Sequence, residues 1–118
     1  MGDLSKHFSR NEFACRDGCG FATVDVQLIE VLEDVREHFD GRVRITSGCR
    51  CAAHNRSVGG APDSEHTRGT AADIVVDGVA AHVVYDYLST KYAGRFGIGK
   101  YTTWTHIDVR QRAARWMK

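Results

Sequence analysis

The chain has a single proline, Pro62, and no apolar run near the roughly 20 residues that a membrane-crossing helix needs. Internal repeats and low-complexity segments are also missing, which excludes solenoid arrays and long disordered linkers. Neither sign of charge dominates. The formal net charge is +1, so composition argues for no nucleic-acid partner and no strongly anionic surface, although local patches could still meet a polymer. The N-terminal run MGDLSKHFSRNEF lacks the apolar centre of a secretory signal, so the chain is expected to be made in the cytosol or to be a mature fragment. With 118 residues, 42% hydrophobic and 26% charged, what remains is one small globular domain, 1–118, with room for one core.

Local patterns sketch that domain. Ser9 and Glu12 have capping-box spacing, and Phe8 and Phe13 are placed as a hydrophobic staple, so a short helix is expected over 8–13. Val24, Leu28, Val31, Leu32, Val35 and Phe39 recur every three or four residues and predict an amphipathic helix over 24–39, ended by Gly41. Val43 and Ile45 alternate as a strand over 42–46, and a short helix or turn is expected over 51–58 before Gly59 and Gly60. AADIVV reads as a strand ending at Asp77, which is placed to cap a helix over 78–92 with Val79, Val83, Tyr87 and Leu88 inward. Two strands, around 95–101 and 104–109, close the chain. Helices first and mixed elements later predict an α+β fold with a small, mainly antiparallel sheet and packed helices.

The chemistry concentrates in SEHTRGTAAD, Ser64 to Asp73. His66 and Asp73 are nitrogen and oxygen donors suited to zinc, and Gly69 permits a left-handed turn that lets a loop histidine converge with a strand carboxylate. A catalytic zinc takes three protein donors and keeps one position open. His106 in THIDVR is the best third donor, since strand alternation places His106 and Asp108 on one face and Ile107 and Val109 on the other.

The run SGCRCAAHNRSVGGAPDSEHTRGTAADIVVDG, followed by GIGKYTTWTHIDVR, closely resembles the zinc D-Ala-D-Ala carboxypeptidase family, peptidase M15, which includes phage endolysins and murein endopeptidases. Its Ser-x-His-x-x-Gly-x-Ala-x-Asp pattern falls on Ser64, His66, Gly69, Ala71 and Asp73, and its later strand histidine on His106. The resemblance implies a hedgehog/DD-peptidase-like zinc peptidase domain with Zn2+ on His66, Asp73 and His106. The implied activity is hydrolysis of an amide bond in peptidoglycan stem or cross-link peptides, as a D,D-carboxypeptidase or endopeptidase or as an L,D-type enzyme. Arg50 matches the family's substrate-binding arginine, whose guanidinium can hold a carboxylate or a developing oxyanion. Ser64 and Asn55 also fall on family positions, and Tyr101 is a further candidate for lining the substrate cleft. Many relatives keep an acid three residues before the last histidine. Thr103 stands there, and Asp108 is the expected replacement as proton acceptor, with orientation of a ligand as its other reading and Glu65 as a weaker candidate. The expected partner is wall peptide, met by a monomer or by a module of a phage or wall assembly acting in the periplasm or outside the cell. A non-catalytic zinc domain that binds wall peptides is the alternative.

Four cysteines form two close pairs, Cys15 with Cys19 and Cys49 with Cys51, the second flanking Arg50. Two disulfides and a second, structural zinc fit that spacing equally, with free thiols behind. His7, His38 and His82 read as solvated, and His54 as a helix-surface residue.

Overall fold

In the computed structural model, residues 3–16, 18–20, 22–60 and 64–118 are described, and Pro62, expected in a loop, lies outside them. The Phe8 to Phe13 segment forms one 3-10 turn, Arg10–Glu12, rather than a longer helix. Glu12 reaches back to accept the Ser9 N–H at 2.6 Å, and the Phe8 and Phe13 rings, both buried, sit 6.1 Å apart as a staple.

Helix α1 runs Val26–Phe39, starting two residues later than the apolar pattern suggests because Asp25 takes the cap and accepts the Gln27 N–H. It ends at Asp40, which adopts the left-handed conformation one residue before Gly41. Strand β1 is Val43–Ser47 and the short helix α2 is Ala52–Ser57, capped by Cys51. Strand β2, Ala71–Val76, coincides with AADIVV. Helix α3 is Ala81–Lys91 with Ala80 at its cap. Asp77 does not cap it. Gly78 takes a positive φ in a turn between strand and helix, and Asp77 pairs with Arg44 at 3.0 Å instead. The buried stripe of α3 is accordingly Val84 and Leu88, with Val83 exposed. Strands β3 (Gly97–Lys100) and β4 (Thr105–Asp108) fall where alternation placed them, and a further strand, β5 (Ala114–Met117), follows.

The sheet order is β1-β2-β4-β3-β5, antiparallel except for the parallel pair β3 and β5. This is a mainly antiparallel α+β architecture in two layers. One sheet face, with Val43, Ile45, Ala72, Ile74, Val76, Ile98 and Ile107, packs on α1 and α3 to make the core. Each fully buried aliphatic side chain there contributes about 1.5–3 kcal/mol relative to exposure. Asp34 fastens the two helices by accepting from Tyr87, Tyr92 and Lys91. Two histidines expected to be solvated make contacts: His38 stacks on Tyr87 at 3.7 Å, and His7 pairs with Glu33 at 2.6 Å. No helix is long and apolar enough to cross a membrane among the described residues.

Because side chains alternate across a strand, the other sheet face receives Ala71, Asp73, Gly97, Gly99, His106 and Asp108. Polar groups gather there, away from the helices.

Candidate metal centre

Register brings the central groups together. Asp73 on β2 lies directly opposite His106 on β4, and Ala71 lies opposite Asp108. On the other side of β4, Gly99 faces His106 and Gly97 faces Asp108. The missing side chains make the room. A Cβ on Gly97 would sit 2.4 Å from Asp108 Oδ2, and one on Gly99 would sit 2.3 Å from Trp116 Nε1. His66 arrives from the 3-10 turn Glu65–Arg68, which Gly69 ends at φ 71°. A Cβ on Gly69 would sit 2.3 Å from Thr23 O, so both the turn and the close packing call for glycine.

His66, Asp73 and His106 offer donor atoms that all lie within 4.8 Å of one another, and His66 and His106 are buried. His66 Nδ1 is 2.6 Å from the Gly48 carbonyl, which can only accept, so the proton of a neutral ring sits there and the lone pair of Nε2 faces Asp73. His106 Nε2 is 2.7 Å from Asp108 Oδ2, which leaves Nδ1 facing Asp73 Oδ1 at 3.0 Å. Two ring nitrogens and a carboxylate oxygen thus converge on one point, where either a proton or a metal cation offsets their repulsion. His66 Nε2 to Asp73 Oδ1 is 3.4 Å. In a tetrahedral zinc site with bonds of about 2.05 Å, donor atoms are separated by about 3.3 Å. The donor set and its spacing therefore fit a zinc ion.

The electrostatics favour positive charge at this point, carried by ring protons where no metal is bound. Burial opposes ionisation of Asp73, but the hydrogen bonds and charges of His106 and His66 outweigh it and hold its carboxyl far below the usual carboxylate range. Burial also disfavours a charged His106, yet Asp108 and Asp73, one on each ring nitrogen, push its pKa up. For Asp108 burial is again overcome, here by His106 and Arg110, and its carboxyl is held down to about 2.

Asp108 is fully buried and lies behind His106, outside the lining of the cleft. Oδ1 accepts from Arg110 Nε at 2.7 Å and Oδ2 from Arg110 Nη2 at 2.7 Å, and the backbone N–H groups of Gly97 and Arg110 add to Oδ1. Both oxygens are engaged, and neither opens to the cleft where a substrate would lie. That placement suits orientation of His106, the other role expected of Asp108.

The cleft over the donor set has a volume of about 520 Å³. Arg50 lies at its edge, 3.6 Å from Asp73 Oδ2, steadied by Ser47 Oγ at 3.2 Å and by the buried Asn55 Oδ1 at 3.2 Å. Tyr101 and Trp104 stack 4.6 Å apart and line the cleft, with Glu65 among the other lining groups. Ser64 also lines it, but its hydroxyl accepts the His66 N–H and shapes the turn. His54 does not reach the cleft lining.

Trp116, Arg68 and Lys118 belong to the cleft and were not expected there. Trp116 lies 5.0 Å from the His106 ring, donates to Tyr101 Oη at 2.9 Å and carries Arg110 over its face at 5.3 Å. The alternation of ARWM after a polar turn was the available signal for β5, although nothing local says that it pairs with β3.

A two-layer α+β domain with a His, Asp, His set under an arginine-edged cleft has the make-up of a mononuclear metallopeptidase. The chain matches the family model described as Peptidase M15 over residues 6–108, and it belongs to that family. It is therefore a metallopeptidase by family, and peptides are its class of substrate. Among curated proteins, none matches the chain significantly.

Proposed function

We propose that the protein is a zinc-dependent peptidoglycan peptidase that hydrolyses an amide bond in wall stem or cross-link peptides. The observation that carries this reading is the convergence of His66 Nε2, Asp73 Oδ1 and His106 Nδ1 beneath a cleft edged by Arg50. His66, Asp73 and His106 hold the zinc, with Gly48 O and Asp108 fixing the two imidazoles by their outer nitrogens. When bound, the ion polarises a scissile carbonyl and acidifies water near neutral pH.

The remaining work falls to the chain's own groups. Arg50, pre-set by Ser47 and Asn55, grips a substrate carboxylate or steadies the oxygen on which charge develops. Tyr101 and Trp104 give the peptide a flat wall. Glu65 is the carboxylate other than Asp73 that lines the cleft among the described residues; its oxygens accept from Arg68 Nη1 at 2.6 Å and from Thr70 Oγ1 at 2.8 Å, and it stands beside Asp108 as a candidate for the proton of the attacking water. Asp108 orients His106 in either case. Wall stem peptides carry free carboxylates, and Arg50, Arg68, Arg110 and Lys118 give the cleft several cations to meet them. A phage lysis or tail module, or a wall-remodelling system, is the setting that fits this substrate.

Mass spectrometry of muropeptides released from purified peptidoglycan tests the reading. Chelator-sensitive release, lost in His66→Ala with the fold intact, is the expected result, and the released fragments also distinguish D,D from L,D cleavage. A zinc-loaded protein that binds wall peptides and releases none would instead make it a binding module.

A further inference from the structure

The four cysteines lie outside the donor set described above, and their arrangement has its own chemistry. The Sγ atoms of Cys15, Cys19 and Cys51 all lie within 4.8 Å of one another. A turn in which the Gly18 N–H meets the Cys15 carbonyl at 3.3 Å folds Cys19 back toward Cys15. Cys51 caps helix α2, its sulfur accepting the His54 N–H at 3.4 Å, while Cys15 Sγ accepts the Cys51 N–H at 3.4 Å. Cys49 is buried, its backbone N–H donating to Phe13 O at 2.9 Å and its thiol donating to the same oxygen at 3.1 Å.

We propose that Cys15, Cys19 and Cys51 bind a second divalent cation of the zinc class in a structural site. Three mutually adjacent sulfurs are one more than a disulfide can use. A tetrahedral thiolate site with bonds of about 2.3 Å has sulfur-to-sulfur edges of about 3.8 Å, which falls inside the observed spread. Backbone N–H groups aimed at two of the sulfurs stabilise thiolate charge, which a metal site requires and a disulfide does not. Binding releases thiol protons to water and changes no oxidation state.

The position gives the site a purpose. Residues 48–51 carry Gly48, whose carbonyl fixes His66, and Arg50, whose N–H donates to His66 O at 2.8 Å. A clip from Cys51 to Cys15 and Cys19 ties that segment to the N-terminal arm, which approaches so closely that a Cβ on Gly48 would sit 2.6 Å from Phe13 Cα. Arg50 then follows the backbone of a metal-bound neighbour, Cys51. None of this depends on the catalytic reading, since the thiolate site is counted separately.

Metal analysis together with cobalt(II) substitution of the whole protein is the test. The expected result is two metal equivalents per chain and an intense thiolate-to-cobalt charge-transfer absorption, which nitrogen and carboxylate donors do not give. Cys19→Ser, at an exposed position, and Cys15→Ser with Cys19→Ser should lose that absorption and one equivalent. His66→Ala with Asp73→Ala should lose the other equivalent and keep the absorption. A wild-type protein with one equivalent and no charge-transfer band overturns the proposal, and so does an intact mass showing two disulfides.

Discussion

Replacing Asp108 by asparagine separates a positioning role from a proton-accepting one. The carboxylate is fully buried and takes hydrogen bonds on both oxygens, from His106 Nε2 and from the Arg110 fork. An asparagine keeps the shape but must turn its NH2 toward one of these donors. Turned toward His106, it needs a lone pair on Nε2, so the ring proton moves to Nδ1, the atom that faces Asp73 and the metal position. Turned toward Arg110, it breaks a bidentate ion pair and leaves a buried group short of a partner, at a cost of about 1.5–3 kcal/mol. The Arg110 side chain is 34% exposed and can take water, so the lower end of that range applies to stability. Outer partners of zinc histidines are worth about 10- to 100-fold in metal affinity, or about 1.4–2.7 kcal/mol. Asp108→Asn should therefore weaken zinc binding by that factor, measured by chelator competition on folded protein. Turnover should recover when excess zinc is supplied. A variant with unchanged zinc affinity and turnover reduced more than about 100-fold would refute the argument and return Asp108 to the role of proton acceptor.

Glu65→Gln should lower kcat by about 100-fold or more while leaving the zinc content at its wild-type level, and an active variant would move the proton acceptor elsewhere. Arg50→Lys should cut kcat/KM about 100-fold, because an ammonium cannot reproduce the two-point grip of a guanidinium, and its metal content should not change. Asp34 provides a stability test far from the site. Burial works against its ionisation, but Lys91, Tyr87 and Tyr92 outweigh it and hold the carboxyl below its usual 3.8. The folded pKa is depressed, so the stabilisation is complete above the unfolded value and is lost as pH falls through the folded one. Urea titrations should show Asp34→Asn less stable by about 2 kcal/mol near neutral pH, with the gap closing in acid below about pH 4, and a gap that stays constant with pH would contradict this account.

Local sequence determined a good deal of this protein. The period of α1, the strand AADIVV, the Ser9 and Glu12 box and the glycine turn before β2 all depend on near neighbours, and each formed within a few residues of its expected place. The residues of the donor set were legible too, through a motif in which residue type and spacing are fixed by what a metal accepts. The places where the sequence misled were decided at long range. Asp77 looked like a helix cap, but Arg44 on the neighbouring strand claimed its carboxylate, and the helix began later. The strand β5 was invisible because its partner, β3, precedes it by more than ten residues and pairs with it in parallel. Only that pairing lays Trp116 beside His106 and explains why Gly99 carries no side chain. Asp108 shows what the sequence left to tertiary structure. Strand alternation correctly put it on the face of His106, but alternation specifies a face and not a depth. Arg110 folding back over the strand end is what closed both oxygens of that carboxylate and set it behind the histidine, since the direction in which a buried charge can act is decided by the partners that tertiary packing brings to it.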